Sequence, residues 1–477
     1  MKYRSILILL IVLISAPLLS RSAGRTNSLL EGLKIPALDF TPPTVDMRDL
    51  TDYATLYRLP DNTLPVISLR IVIEGGTDLE PIDNAGNLSA MAAMLGTSGT
   101  SKLSPTELAN SLALLGASLS TNVSDQTWEI SLDAMRPDFM QALDLLIQVL
   151  TDTNFDESTL GTVKNQMISS IRSRSDSPDN IGFLKLGEIM YPNTRRGYVI
   201  QESDVNRIST QSVKQTLQNR LSKARYHIAL DGNFEGLGVE RKLVELLRLL
   251  PVPKEPLSVL PDHAFKIPSE KDNPYRGKIV HVTGDFSQSL LIVASPTLAH
   301  NADEYYALQL GNHILGGGSF TSRLMQEIRV KRGLAYYAYS YNRSKAADGY
   351  LAAVSATRSD RAGETLELML QMIEGMKTNV TESDLEPART AILNSLVFLY
   401  TDPTEILSDQ IRFRIDGLPP EYLTQFPNRI KGVSAEQIKS AFKKYVNRDD
   451  LFIVVVGPES LAKGLRNIAP VITMKAP

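Results

Sequence analysis

The chain has 477 residues, no cysteine, five histidines and a formal net charge of -3. That length exceeds one ordinary domain. The missing cysteines exclude disulfide scaffolds, thiolate metal sites and cysteine nucleophiles, and the near-neutral charge leaves no electrostatic footprint for nucleic acid.

Lys2 and Arg4 precede an apolar run from Ile6 to Ile14, with small residues at Ser20, Ser22 and Ala23. This predicts a signal peptide or an uncleaved N-terminal anchor over residues 1–23, and an exported, periplasmic or envelope protein. The apolar run is short for a membrane span, and no other segment reads as one. Val66 to Ile73 reads as a strand, followed by an apolar helix ending in Gly96-Thr-Ser-Gly-Thr. Ala117 to Asn122 and Thr127 to Leu132 read as a hairpin. Val213, Leu217 and Leu221 form one helical stripe, after which Tyr226 to Leu230 reads as a buried strand before Gly232. Pro251, Pro253, Pro256, Pro261, Pro268 and Pro274 then interrupt the pattern, because proline continues neither helices nor central strands. An interdomain linker is therefore expected over 251–276, between domains at 45–250 and 277–477.

The second segment repeats the first. Ser289 to Ala294 reads as its first strand, and Leu451 to Val456 before Gly457 as its last. Val433-Ser-Ala-Glu-Gln-Ile-Lys-Ser-Ala-Phe runs parallel to Ile208-Ser-Thr-Gln-Ser-Val-Lys-Gln-Thr-Leu, with Ile438, Phe442 and Val446 as its helical stripe and Ser434 with Gln437 as a capping box. Two such units predict an α+β fold of two homologous domains, each an antiparallel sheet packed with helices. The histidines (His227, His263, His281, His300 and His313) have no close helical spacing of the kind a metal motif needs, and read as surface or core residues. No Gly-x-Ser-x-Gly elbow marks a serine hydrolase. The triple glycine Gly316, Gly317 and Gly318 lacks the Lys-Ser/Thr of a phosphate loop. It reads as a substrate-facing loop or as a structural turn.

The run Leu315-Gly-Gly-Gly-Ser-Phe-Thr-Ser-Arg-Leu-Met-Gln-Glu-Ile-Arg-Val-Lys-Arg-Gly-Leu-Ala-Tyr is the most specific in the chain. It resembles the C-terminal-domain motif of the pitrilysin-like zinc metallopeptidases, the family of insulin-degrading enzyme and mitochondrial processing peptidase. The resemblance extends from about Asp52 to the C-terminus. It implies two domains facing each other across a chamber, with Arg329 and Tyr336 contacting a peptide substrate and stabilising its transition state. Fixed donors of these types suit a carbonyl oxygen that gains negative charge.

Active members carry His-x-x-Glu-His on the first helix and a distant glutamate. The resemblance places those functions here at Ala90, Ala93 and Met94, with the third ligand at Ser170, so the metal site is degenerate. It implies a chain that is no enzyme alone and holds no cofactor. Its partner would be a zinc-bearing, His-x-x-Glu-His subunit of a heterodimeric peptidase acting on peptides. The alternative it leaves open is a purely structural or peptide-binding subunit of an envelope complex.

Overall fold

Ile67, Leu69, Ile71 and Ile73 alternate with Ser68, Arg70 and Val72, the period of two that gives a strand one face in the core. This strand is central to the first of two six-stranded sheets in the computed structural model, which describes residues 41–256, 273–346 and 348–476. The segment 1–23 and much of the expected linker lie outside the described residues. Sheet 1 comprises β1 (Asp46–Thr51), β2 (Ala54–Pro60), β3 (Val66–Glu74), β4 (Ser118–Val123), β5 (Thr127–Met135) and β6 (Tyr226–Gly232), in the order β1-β2-β6-β3-β5-β4. Sheet 2 comprises β7 (Lys278–Thr283), β8 (Gln288–Thr297), β9 (Ala335–Ser344), β10 (Gly349–Arg358), β11 (Phe452–Gly457) and β12 (Val471–Lys475). Its order, β9-β10-β8-β11-β7-β12, repeats five strands of sheet 1 from the opposite edge; the sixth differs, since β1 precedes β2 and pairs with it antiparallel, whereas β12 follows β11 and pairs with β7 in parallel. The α+β duplication read from the sequence is the architecture of the molecule.

The sheets are not wholly antiparallel. β2 pairs with β6 in parallel, and β7 does so with both β11 and β12. Each of these pairs is separated by a long crossover, which is what parallel pairing requires. The expected hairpin is present, with Asn122 opposite Glu129 across β4 and β5.

One face of each sheet carries helices of its own half. On sheet 1 the helix α1 (Asn87–Thr97) packs with α2 (Glu157–Arg172) over Leu69, Ile71, Trp128 and Ile130. The other face is covered by a helix from the opposite half. The helix α3 (Pro178–Met190) of the first half sets Ile181, Leu186 and Ile189 on Val280, Leu290, Ile292 and Val454 of sheet 2. At Gly182 an added Cβ would come within 2.3 Å of the Leu290 side chain, so the helix lies close on the strands. In return α4 (Pro403–Ile415) of the second half places Leu407, Ile411 and Ile415, spaced four apart, on Tyr57, Val72 and Ala229 of sheet 1.

Hydrogen bonds and ion pairs clamp the same seam. Tyr191 Oη donates to Asp348 at 2.6 Å, Arg196 pairs with both Asp78 and Asp348, and Arg343 and Lys345 converge on Asp125. What remains between the halves is a cleft of about 670 Å³, walled in part by Val72, Asp125, Lys345, Tyr400, Ile411 and Tyr422.

Candidate functional site

The start of α1 is pinned. Gly86 takes φ 95°, a left-handed conformation that suits glycine, and the Glu80 carboxylate accepts from the N–H groups of Gly86 and Leu88 at 3.1 and 2.8 Å. Arg195 neutralises that buried carboxylate at 2.7 Å. The start and rotation of the helix are thereby fixed. Ala90 and Met94, expected at the two histidine positions, are 0 % exposed in the core. The opposite side of the helix carries Ser89, Ala93 and Gly96, at i, i+4 and i+7, all half-buried.

Ser170 is exposed on α2, which packs beside α1. Methyl groups and neutral hydroxyls are not zinc donors, so these residues do not fit the metal that active relatives hold. Among the described residues no three of His, Asp and Glu stand close enough to hold an ion. His227 is a core residue, bridging Tyr57 Oη at 3.1 Å and Glu74 at 2.9 Å.

Arg329 and Tyr336 lie in the second half, and the chain between them brings them together. The helical turn Met325–Val330 is anchored by Leu324 and Ile328, both 0 % exposed, which leaves Arg329 at the rim. Gly333, at φ 61°, reverses the chain, its N–H donating to Arg329 O at 3.0 Å, and β9 begins two residues later. Ala335 faces Thr357 and Tyr337 faces Ala356, so Tyr336 is the extra residue of a β-bulge. A bulge re-aims its side chain, and Tyr336 is 74 % exposed. The Arg329 guanidinium carbon lies 5.0 Å from the centre of the Tyr336 ring and 5.0 Å from that of Phe320. It makes no hydrogen bond or ion pair with any described residue, so its fork of donors is unspent.

Phe320 has no role in the reading of the sequence motif. An aromatic residue just past three glycines was the available signal. Of the three glycines, Gly316 is buried, Gly317 exposed and Gly318 half-buried. Gly316 and Gly317 end the helical run His313–Gly317, and an added Cβ on Gly316 would come within 2.3 Å of the Ser340 backbone nitrogen. Gly316 thus lets that helix end pack closely on β9. The two groups of expected site residues thus stay apart in the fold, Ala90, Ala93, Met94 and Ser170 on helices of sheet 1 and Arg329 with Tyr336 beside sheet 2.

Residues 59–204 match the family model described as insulinase (peptidase family M16), and residues 207–392 match the peptidase M16 inactive domain. The chain belongs to peptidase family M16, as a member without the metal-binding motif. It is 23% identical over 402 residues to the non-peptidase homolog YmxG of Helicobacter pylori, covering 83% of this chain and 90% of that one. It is 21% identical over 408 residues to the human mitochondrial-processing peptidase subunit beta, covering 83% and 81% respectively. The crystal structure of a peptidase M16 inactive domain from Pseudomonas fluorescens superposes with a TM-score of 0.76 at 25% identity, over 87% of this chain and 98% of that one.

Proposed function

We propose that the chain is the non-catalytic subunit of a two-subunit peptidase, and that Arg329 and Tyr336 take hold of a peptide bound at the metal site of an active M16 partner. The observation that carries this is the Arg329 guanidinium, held beside two exposed aromatic rings with none of its donors bonded to a described residue. Together with a first helix that offers no metal ligand, it describes half of a site. The relative named as a processing-peptidase subunit supports the pairing. The partner would carry His-x-x-Glu-His and the zinc. Residues 1–23 would direct export to the periplasm or envelope, and 251–276 would link the two domains.

The test is kinetic, on the complex co-purified from the native host. Arg329→Ala and Tyr336→Phe in this chain should lower kcat/KM by roughly 10²–10³, the usual cost of one lost donor to a reacting group. The transition-state role implied by the resemblance shows as a fall in kcat, and a grip on the bound peptide as a rise in KM. Full activity of an assembled complex carrying both substitutions would leave the motif architectural and the chain a structural subunit.

A further inference from the structure

Phe320 and Tyr336 reach Arg329 through two backbone irregularities that fill no core. Ser319 holds φ 51°, unusual for a residue with a side chain, and the turn it makes leaves Phe320 55 % exposed. The bulge at β9 does the same for Tyr336. Val330, next to Arg329, is 54 % exposed as well. Irregular backbone that turns large rings into water around a cation costs stability, and such features persist where contact with a ligand uses them.

The charge of the patch narrows the ligand. Between Met325 and Gly333, Arg329, Lys331 and Arg332 stand against one carboxylate, Glu327, which already pairs with Lys331 and Arg332. The surplus positive charge therefore includes the one basic group without a partner. A peptide carbonyl would use one oxygen and no charge. A carboxylate brings two oxygens at the spacing of the guanidinium fork and the charge that the surplus attracts.

We propose that Arg329, flanked by Phe320 and Tyr336, is a receptor for a carboxylate borne by a peptide, in the first place its C-terminal one, with the last side chain resting on Phe320. This rests on the reading of Arg329 and Tyr336 as the pair that holds substrate. It adds Phe320 as a positioning residue, and it favours grip over transition-state donation.

The full-length chain alone suffices for the test. Three fluorescein-labelled pentapeptides of glycine, alanine and leucine serve as probes: a free acid, its C-terminal amide, and an amide with one glutamate. Fluorescence anisotropy should show the free acid binding at least about tenfold more tightly than the plain amide, as a charge-assisted bidentate contact requires. Arg329→Gln should abolish that difference, and Arg329→Lys should keep little of it. Phe320→Ala should weaken the free acid while Phe320→Tyr restores it, which a merely structural residue would not show. A glutamate amide equal to the free acid would assign the site to side-chain carboxylates as well. Equal binding of acid and plain amide, a difference that survives Arg329→Gln, or no binding of any probe would overturn the proposal. The reading of the chain as a peptidase subunit would still be judged separately, by turnover of the assembled complex.

Discussion

Asp231 sits on the seam where α4 meets sheet 1, accepting from Thr404 Oγ1 at 3.4 Å, while Arg70 donates to Ser408 Oγ and Thr404 O at 2.7 Å each. Burial pushes its carboxyl up to about 6, although the nearby Arg70 guanidinium pulls the other way. The folded state therefore binds this proton more tightly than the unfolded chain. Its contribution is fully present below the ordinary carboxyl range and is lost as pH rises through about 6. Above that the cost to the folded state reaches up to about 3 kcal/mol. Asp231→Asn should raise the urea midpoint clearly near neutral pH and hardly at about pH 4. An equal shift at both pH values would show that the carboxyl does not titrate in this way.

Among the elements, the helix end at Gly316 decides how β9 lies. Because the contact is to the backbone nitrogen and hydroxyl of Ser340, no flexible side chain can give way to a methyl group. Gly316→Ala should cost roughly 1–3 kcal/mol in denaturant unfolding, as overpacking does. By contrast Gly363, whose added Cβ would meet nothing within 4 Å, should accept alanine with little loss. Equal tolerance at the two glycines would sink the packing account.

The elements themselves were largely legible, since stripes, alternation and caps are local signals. The Ser434 and Gln437 capping box forms as read, and Ile438, Phe442 and Val446 are all buried. Arg329 and Tyr336 were legible as residues because their motif is a continuous run. The face that α1 turns to the core was not, since Ser89, Ala90 and Ala93 are all small and only their packing tells them apart. Nor was the destination of α3 and α4, because Ile181, Leu186 and Ile189 announce an apolar face without naming the sheet that receives it.

At the scale of the whole molecule, that exchange means neither half closes its own sheet. Residues 41–256 alone would leave Tyr57, Val72 and Ala229 bare, and residues 273–476 alone would leave Val280, Leu290, Ile292 and Val454 bare. Expressed separately, the halves should fail to give a cooperative thermal transition and should bind hydrophobic dye. Expressed together as two chains, they should co-purify and melt as one, since the contacts do not depend on the linker. A first half that folded cooperatively by itself would contradict this.

The same crossing of helices bears on inheritance. A recombination event at the linker would join a first half from one parent to a second half from another, and each would bring a helix shaped for a sheet it no longer meets. Leu290, the residue nearest Gly182, would have to suit a stranger's helix while Val72 received a stranger's Leu407 and Ile411. Although the two halves repeat one arrangement of strands and helices, they cannot be traded as modules. A viable hybrid must carry the paired contacts of both seats from a single parent.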